Sequence, residues 1–305
     1  MTEETAATSS EYDDTNMPVY VLSVISCLIA VLGIVSNLLS LSYFIRQTGF
    51  KPMSNQRENG TARLFVILNV FDLLVCLYST IMIIIWVKVL NMGYTVVFKY
   101  FCVIYQDILV NLTGFITCII AVTRTLDLIW PFNVARGAER IVITNIAIVV
   151  YSLLNLCLAI FEMVHISGRE LGDITYIALS MIAIIMIGLF LIVIISNVMC
   201  IVKLYQSHSQ RDATNSITRH ATITVGIISV IYCVCNAGFI ADRVSYAINL
   251  VLPDKLPSVV FHSILLPLNS ACNPVVYFVR KADMRLYLGD LWRRVKRLCN
   301  YAQCN

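Results

Sequence analysis

Three residues spaced four apart, Asn269, Asn273 and Tyr277 in the run NSACNPVVY, put two amides and a phenol on one face of a helix, with Ser270 and Pro274 beside them. The surrounding stretch, 258–279, is otherwise apolar. There asparagine and serine need partners, and proline withdraws a helical donor and clashes with the preceding turn. A second intrusion is Asp72, midway through LNVFDLLVCL. A carboxylate at such depth costs about 2.5 kcal/mol or more unless it meets polar groups, a cation or water. Asn37 in GIVSN and Thr113 in the third apolar run add an amide and a hydroxyl. One negative charge among neutral oxygens suits a small cation, with water; the same groups also suit plain hydrogen bonding between helices. They do not suit catalysis. No nucleophile–base pair, metal-ligand spacing or phosphate-cradling glycine loop is present, and the expectation is a protein that is not an enzyme and carries no cofactor beyond a bound small cation at Asp72.

The elements that must position these groups are membrane helices. The 305 residues are 59% hydrophobic and only 13% charged, with a mean hydropathy of +0.81. Apolar runs of about 20 residues, enough to cross roughly 30 Å of hydrocarbon, recur along the chain. Seven spans are predicted, at 18–45, 63–89, 98–130, 139–164, 174–205, 218–248 and 256–279. The expected fold is an all-α membrane protein, a seven-transmembrane helix bundle at 18–279. An extracellular acidic tail at 1–17 precedes it, and an amphipathic helix with a short cytoplasmic tail at 280–305 follows. In that last segment Met284, Leu286, Tyr287, Leu288, Leu291, Trp292, Val295 and Leu298 alternate with Arg and Lys, as in a helix lying on a membrane surface. The N-terminus has no basic and short apolar regions of a cleavable signal.

Sidedness follows from the basic residues. With the N-terminus outside, all 22 Lys and Arg except Lys88, Lys99, Arg169, Arg243 and Lys255 fall on the cytoplasmic side. The net charge of +4 is dispersed over loops and tail, so membrane lipids are the expected partner of these charges and nucleic acid is not. Most of the 11 cysteines lie within apolar runs, where a thiol packs as a small hydrophobe.

In order along the chain, GIVSN, LNVFD, a third span ending TRTLDLIWPF and a seventh carrying NSACNPVVY resemble the rhodopsin-like (class A) G-protein-coupled receptors, of which this sequence looks like a divergent member. The resemblance runs from Asn37 to the amphipathic helix. It implies that Asn37, Asp72, Thr113, Asn269, Ser270 and Asn273 form a sodium and water site. It implies an activation switch of Arg124, Tyr277, Pro274, Tyr232 and Asn236, a heterotrimeric G protein as cytoplasmic partner, and an extracellular ligand. Pro131 matches the proline of the loop after the third helix.

The departures are specific. Thr123 stands where the family has an acid before its arginine, and Thr125 where it has an aromatic residue, so Arg124 is expected to lack its local ion pair. In YCVCNAG, Asn236 replaces a tryptophan and Gly238 a proline. Cys102 has no cysteine to pair with in HISGRELGDIT, so the family's extracellular disulfide is expected to be absent. Gln106 falls where amine receptors carry an aspartate and Pro267 where opsins carry the retinal-linking lysine, which disfavours both ligand classes and leaves a peptide or small molecule. Outward-half pocket candidates are Gln106, Asp107, Asn111, Tyr176, Phe239, Asp242 and His262. Cys299 and Cys304, beside the basic helix, are lipidation candidates.

The expected function is a plasma-membrane, multi-pass receptor passing a ligand signal to G proteins through a two-state bundle. Two other readings stay open: an ion-coupled transporter or channel using Asp72 and the asparagines, and a receptor-fold protein with lost or constitutive signalling. Against the transporter, the halves show no internal repeat and only one span is proline-broken beside its polar residues.

Overall fold

The computed structural model describes residues 4–49, 56–89, 108–129, 137–166, 172–207, 215–247 and 264–303. These residues form eight helices: α1 Glu4–Gly49, α2 Gln56–Val89, α3 Asn111–Ile129, α4 Gly137–Ile166, α5 Gly172–Ser207, α6 Asn215–Ala247, α7 Leu266–Arg280 and α8 Ala282–Gln303. No strand occurs among the described residues. Six helices are long and apolar enough to cross a membrane, with spans at Val21–Thr48, Ala62–Ile84, Ile108–Ile129, Val142–Phe161, Ser180–Lys203 and Thr222–Ala241. The chain is therefore built as a multi-pass membrane protein. The 15 residues of α7 cover about 22 Å at 1.5 Å per residue, short of a full crossing. The first part of the expected seventh span lies outside the described residues, as do Cys102 and Pro131. The backbone of α1 is already helical from Glu4, within the segment expected to be a tail.

Helix α3 is the hub. Of its apolar window 61% is buried, against 22% for α1 and for α4. It packs on α2, α4, α5 and α6, while α1, α2, α4, α5, α6 and α7 contact one another in that order and close back on α1. The outer helices accordingly turn large aliphatic residues outward, among them Leu32, Ile143, Leu153, Ile184 and Ile201. Such surfaces are stable against lipid, which is as apolar as they are.

Inside the ring the core is layered. One apolar cluster gathers Tyr43, Phe44, Phe65, Leu68, Ile116, Ile120, Ile228 and Tyr277. A second holds Val75, Val110, Leu158, Ile182, Met186, Phe239 and Leu266. On α2, Leu68 belongs to the first and Val75 to the second, and Asp72 lies between them. On α7, Tyr277 and Leu266 take the same two positions around Asn269, Ser270 and Asn273. Thr113 on α3 falls likewise between Val110, just before that helix, and Ile116. A polar layer is thus enclosed between two greasy ones.

Close approach of α1 fixes this layer. A Cβ added at Gly33 would lie 2.5 Å from Cys76 Sγ on α2 and 3.2 Å from Ala271 Cβ on α7, so only glycine lets the three helices meet. At the other end of the bundle α8 is docked by aromatic contacts. Tyr287 packs on Tyr43 with ring centroids 5.7 Å apart and donates its hydroxyl to Ser42 Oγ at 3.1 Å. Arg285 Nη1 donates to Val279 O at 2.5 Å and to Phe278 O at 3.3 Å, covering carbonyls at the end of α7 that have no helical donor. Leu286 and Trp292 remain 67% and 70% exposed on α8, next to Arg293 and Arg294, as suits a membrane-surface helix.

Gly33→Ala is expected to lower the unfolding temperature of the detergent-solubilised protein, an overpacking cost of about 1–3 kcal/mol. Gly188→Ala, where an added methyl meets nothing within 4 Å, is expected not to. Adding Cys76→Ala to the Gly33→Ala chain should recover most of the loss. Equal shifts for the two glycine variants would contradict the close packing of α1.

Candidate functional site

The site begins with a missing proton. Pro274, buried in α7, has no backbone N–H, so the carbonyl of Ser270 four residues earlier loses its helical donor. Asn37 of α1 takes that place: its Nδ2 donates to Ser270 O at 3.1 Å and to Gly33 O at 2.9 Å. One turn along α7, Asn273 Nδ2 donates to Asp72 Oδ2 at 2.7 Å. The carboxylate is fully buried, as is Asn37. Two long-range bonds therefore join α7 to α1 and to α2, and both depend on side chains that a lipid-facing position would not tolerate.

Other amide and hydroxyl donors are used within their own helices. Asn69, Asn155, Asn197 and Asn236 each send Nδ2 to the carbonyl four residues back, at 2.6, 2.9, 2.6 and 2.9 Å. Thr113 and Thr117 do the same with their hydroxyls, at 3.0 and 2.9 Å. What remains facing inward is mostly oxygen: carboxylate, amide carbonyls and two hydroxyls. Asp72 Oδ1, Asn37 Oδ1, Asn69 Oδ1, Asn269 Oδ1, Asn273 Oδ1 and the hydroxyls of Ser40 and Ser270 are buried without a hydrogen-bond partner. The Ser270 hydroxyl can turn to Asp72 as a further donor beside Asn273, and the amide oxygens left over are of the kind that water or a cation can meet.

A crevice beside the acid is lined by Val75, Val110 and Leu266 on its apolar side and by Thr113, Asn236, Asn269 and Ser270 on its polar side. It leaves no space for a water-sized sphere, so an occupant requires the helices to relax outward. The donor set itself, neutral oxygens and one carboxylate, fits a hard monovalent ion. Among the described residues no group of three His, Cys, Asp or Glu side chains comes together, which leaves oxygen of this kind as the candidate ligand.

All six residues of the expected sodium and water site thus lie in the polar layer. Asn236, singled out for the switch, lines the same crevice. Asn69 and Ser40, one turn from Asp72 and Asn37, were not singled out at all. Their signal was the same i, i+3 polar spacing, weakened because Ser and Asn are ordinary helix–helix glue.

The switch residues are spread toward the other end. Tyr277 is fully buried, its ring edge-on to Phe44 at 5.2 Å and to Phe65 at 4.9 Å between centroids, and its hydroxyl has no partner. Tyr232 on α6 is buried against α3, where a Cβ at Gly114 would stand 2.6 Å from its hydroxyl. Arg124 corrects the expectation of a missing ion pair: its Nη1 lies 3.7 Å from Asp127 Oδ2, one turn further along α3. Thr125 Oγ1 lies 2.9 Å from Ala121 O, 3.0 Å from Ser196 O and 3.2 Å from Cys200 Sγ, and so crosslinks α3 to α5.

Of the outward pocket candidates, Asn111 and Phe239 are buried, Phe239 within the second apolar cluster. Gln106, Asp107 and His262 lie outside the described residues, and so do the side chains of Tyr176 and Asp242. Cys299 is exposed on α8; Cys304 lies outside the described residues. The described cysteines are all free thiols.

No protein-family model matches this sequence, and no curated protein matches it.

Asn273→Ala is expected to destabilise the solubilised protein by about 1–3 kcal/mol, because it strips a buried carboxylate of its donor. Asn197→Ala, whose bond to Val193 O stays within one helix, should cost less than about 1 kcal/mol. Asp72→Asn should restore part of the loss in the Asn273→Ala chain. Thermal unfolding of the four chains decides, and equal losses for Asn273→Ala and Asn197→Ala would remove the special standing of the Asp72 contact.

Proposed function

We propose that this chain is a seven-span, rhodopsin-like G-protein-coupled receptor of the plasma membrane, with its N-terminus outside. The observation that carries this reading is the joint at Asp72, Asn273, Asn37 and the proline-freed carbonyl of Ser270. It is a polar layer at mid-depth, with Tyr277 and Arg124 stationed toward the end where α8 docks. Such a layer makes the bundle a two-state device. Its bonds link α1, α2 and α7 in one arrangement, and the unpartnered acceptors give a second arrangement something to gain. An extracellular ligand, a peptide or small molecule that is neither an amine nor retinal, biases the outer half. Tyr277 and Arg124 then rearrange, and a cleft for a heterotrimeric G protein opens on the cytoplasmic side. Membrane lipids hold α8, with acylation at Cys299 or Cys304 as a second anchor.

Asp72, Asn37, Thr113, Asn269, Ser270 and Asn273 would hold a sodium ion, which supplies the positive charge a buried carboxylate needs. The chain's own part is to orient that carboxylate through Asn273 and to keep bulk water out through the two apolar clusters. The same acceptors also suit passage of an ion, which is the transporter reading. Sodium flux into vesicles carrying the purified chain separates the two: a receptor shows none above empty vesicles.

The test of the receptor reading has two arms. Replacing potassium by sodium should raise the unfolding temperature of the wild-type protein and leave that of Asp72→Asn unchanged. In cells, output measured for each class of Gα subunit should exceed that of untransfected cells and fall to background in Arg124→Ala at equal surface expression. Output that is unaffected by both Arg124→Ala and Asp72→Asn would sink the reading.

A further inference from the structure

The cytoplasmic third of α3 carries a guanidinium that the sequence pattern leaves without its usual neighbour. Thr123, the residue before Arg124, has no charge. The structure provides an acid elsewhere: Asp127 Oδ2 lies 3.7 Å from Arg124 Nη1, with side chains 7% and 16% exposed. Positions three apart share a helical face, so the pair runs along α3 and needs no second helix to form. Its orientation is nonetheless fixed. Thr125, between the two, is held against α5 through Ser196 O at 3.0 Å and Cys200 Sγ at 3.2 Å, which sets the rotation of this part of α3 about its axis. A charge removed from water is restrained by a nearby counterion more strongly than an exposed one.

We propose that Asp127 is the counterion that holds Arg124 folded along α3 in the resting bundle. It is a positioning residue that replaces, one turn later, the acid missing at Thr123. The inference rests on the receptor reading above. The design differs from a lock between helices, because both partners of the pair sit on α3. Release requires Arg124 itself to swing off Asp127, and Thr125 keeps the backbone still while it does so.

The test uses the full chain in nanodiscs with purified heterotrimeric G proteins of each class, reading nucleotide exchange without added ligand. Asp127→Asn is expected to raise basal exchange about threefold or more, the size of shift that loss of one restraint gives a two-state equilibrium. Asp127→Glu should stay near wild type. Thr123→Asp placed in the Asp127→Asn chain should bring exchange back down, a rescue that a merely structural aspartate would not allow. Arg124→Gln in the Asp127→Asn chain should abolish the gain. Independently, a thermal double-mutant cycle of Arg124→Gln and Asp127→Asn should show coupling.

The proposal is overturned if the cycle shows no coupling, or if Asp127→Glu activates as strongly as Asp127→Asn, or if Thr123→Asp fails to reverse the gain. Flat exchange in every chain, with coupling intact, overturns the receptor reading and leaves the pair no signal to restrain.

Discussion

One absent N–H organises the interior of this protein. Pro274 cannot donate to Ser270 O, and in hydrocarbon an unmet carbonyl is a liability of several kcal/mol. The amide of Asn37, at 3.1 Å, removes that liability from another helix. The repair has a cost in sequence freedom. α1 must come close enough to reach α7, hence Gly33, whose position admits no Cβ beside Cys76 and Ala271. Asn37 must also point inward at the depth of Ser270, which puts it in the layer of Asp72. A local defect in one helix thereby dictates contacts in three.

The layer is built asymmetrically in its hydrogen bonding. Asparagine carries both donor and acceptor atoms; Asn37 and Asn273 send donors across helices, while Asn69 and Asn236 spend theirs on carbonyls of the same helix. The oxygens are left facing the middle, beside a carboxylate. Helices in lipid gain little from hydrophobic association, so polar contacts of this sort carry much of the specificity of their packing. Two apolar clusters, one on each side, keep the electrostatics of the layer strong by excluding water.

How much of this was legible in the sequence depends on the range of the interaction. The helical class and the multi-pass character follow from composition and run length, which are local. The four-residue spacing of Asn269, Asn273 and Tyr277 put them on one face, and the cost of burying Asp72 argued that it faces inward. What joins Asp72 to Asn273 rather than to another amide is tertiary and has no local signal. Asp127 is a different case: its three-residue spacing from Arg124 permits a pair along the helix, but spacing alone does not show that the two side chains meet. Asn236 was read by its alignment to a tryptophan, whereas its place in the polar layer follows from depth along α6. Gly33 was invisible because a glycine inside an apolar run says nothing about what lies opposite.

The joint between α7 and α8 links two parts of the molecule that look unrelated. Lys281 breaks the helix with an extended backbone and lays its ammonium over the rings of Phe44 and Phe65, 4.6 and 5.2 Å from their centroids. Those two rings are the ones whose other contacts cradle Tyr277. The anchor of the surface helix and the innermost tyrosine thus lean on the same pair of aromatic plates. Neither can shift without tilting the plates under the other, so any displacement of α8 is mechanically geared to the centre of the bundle.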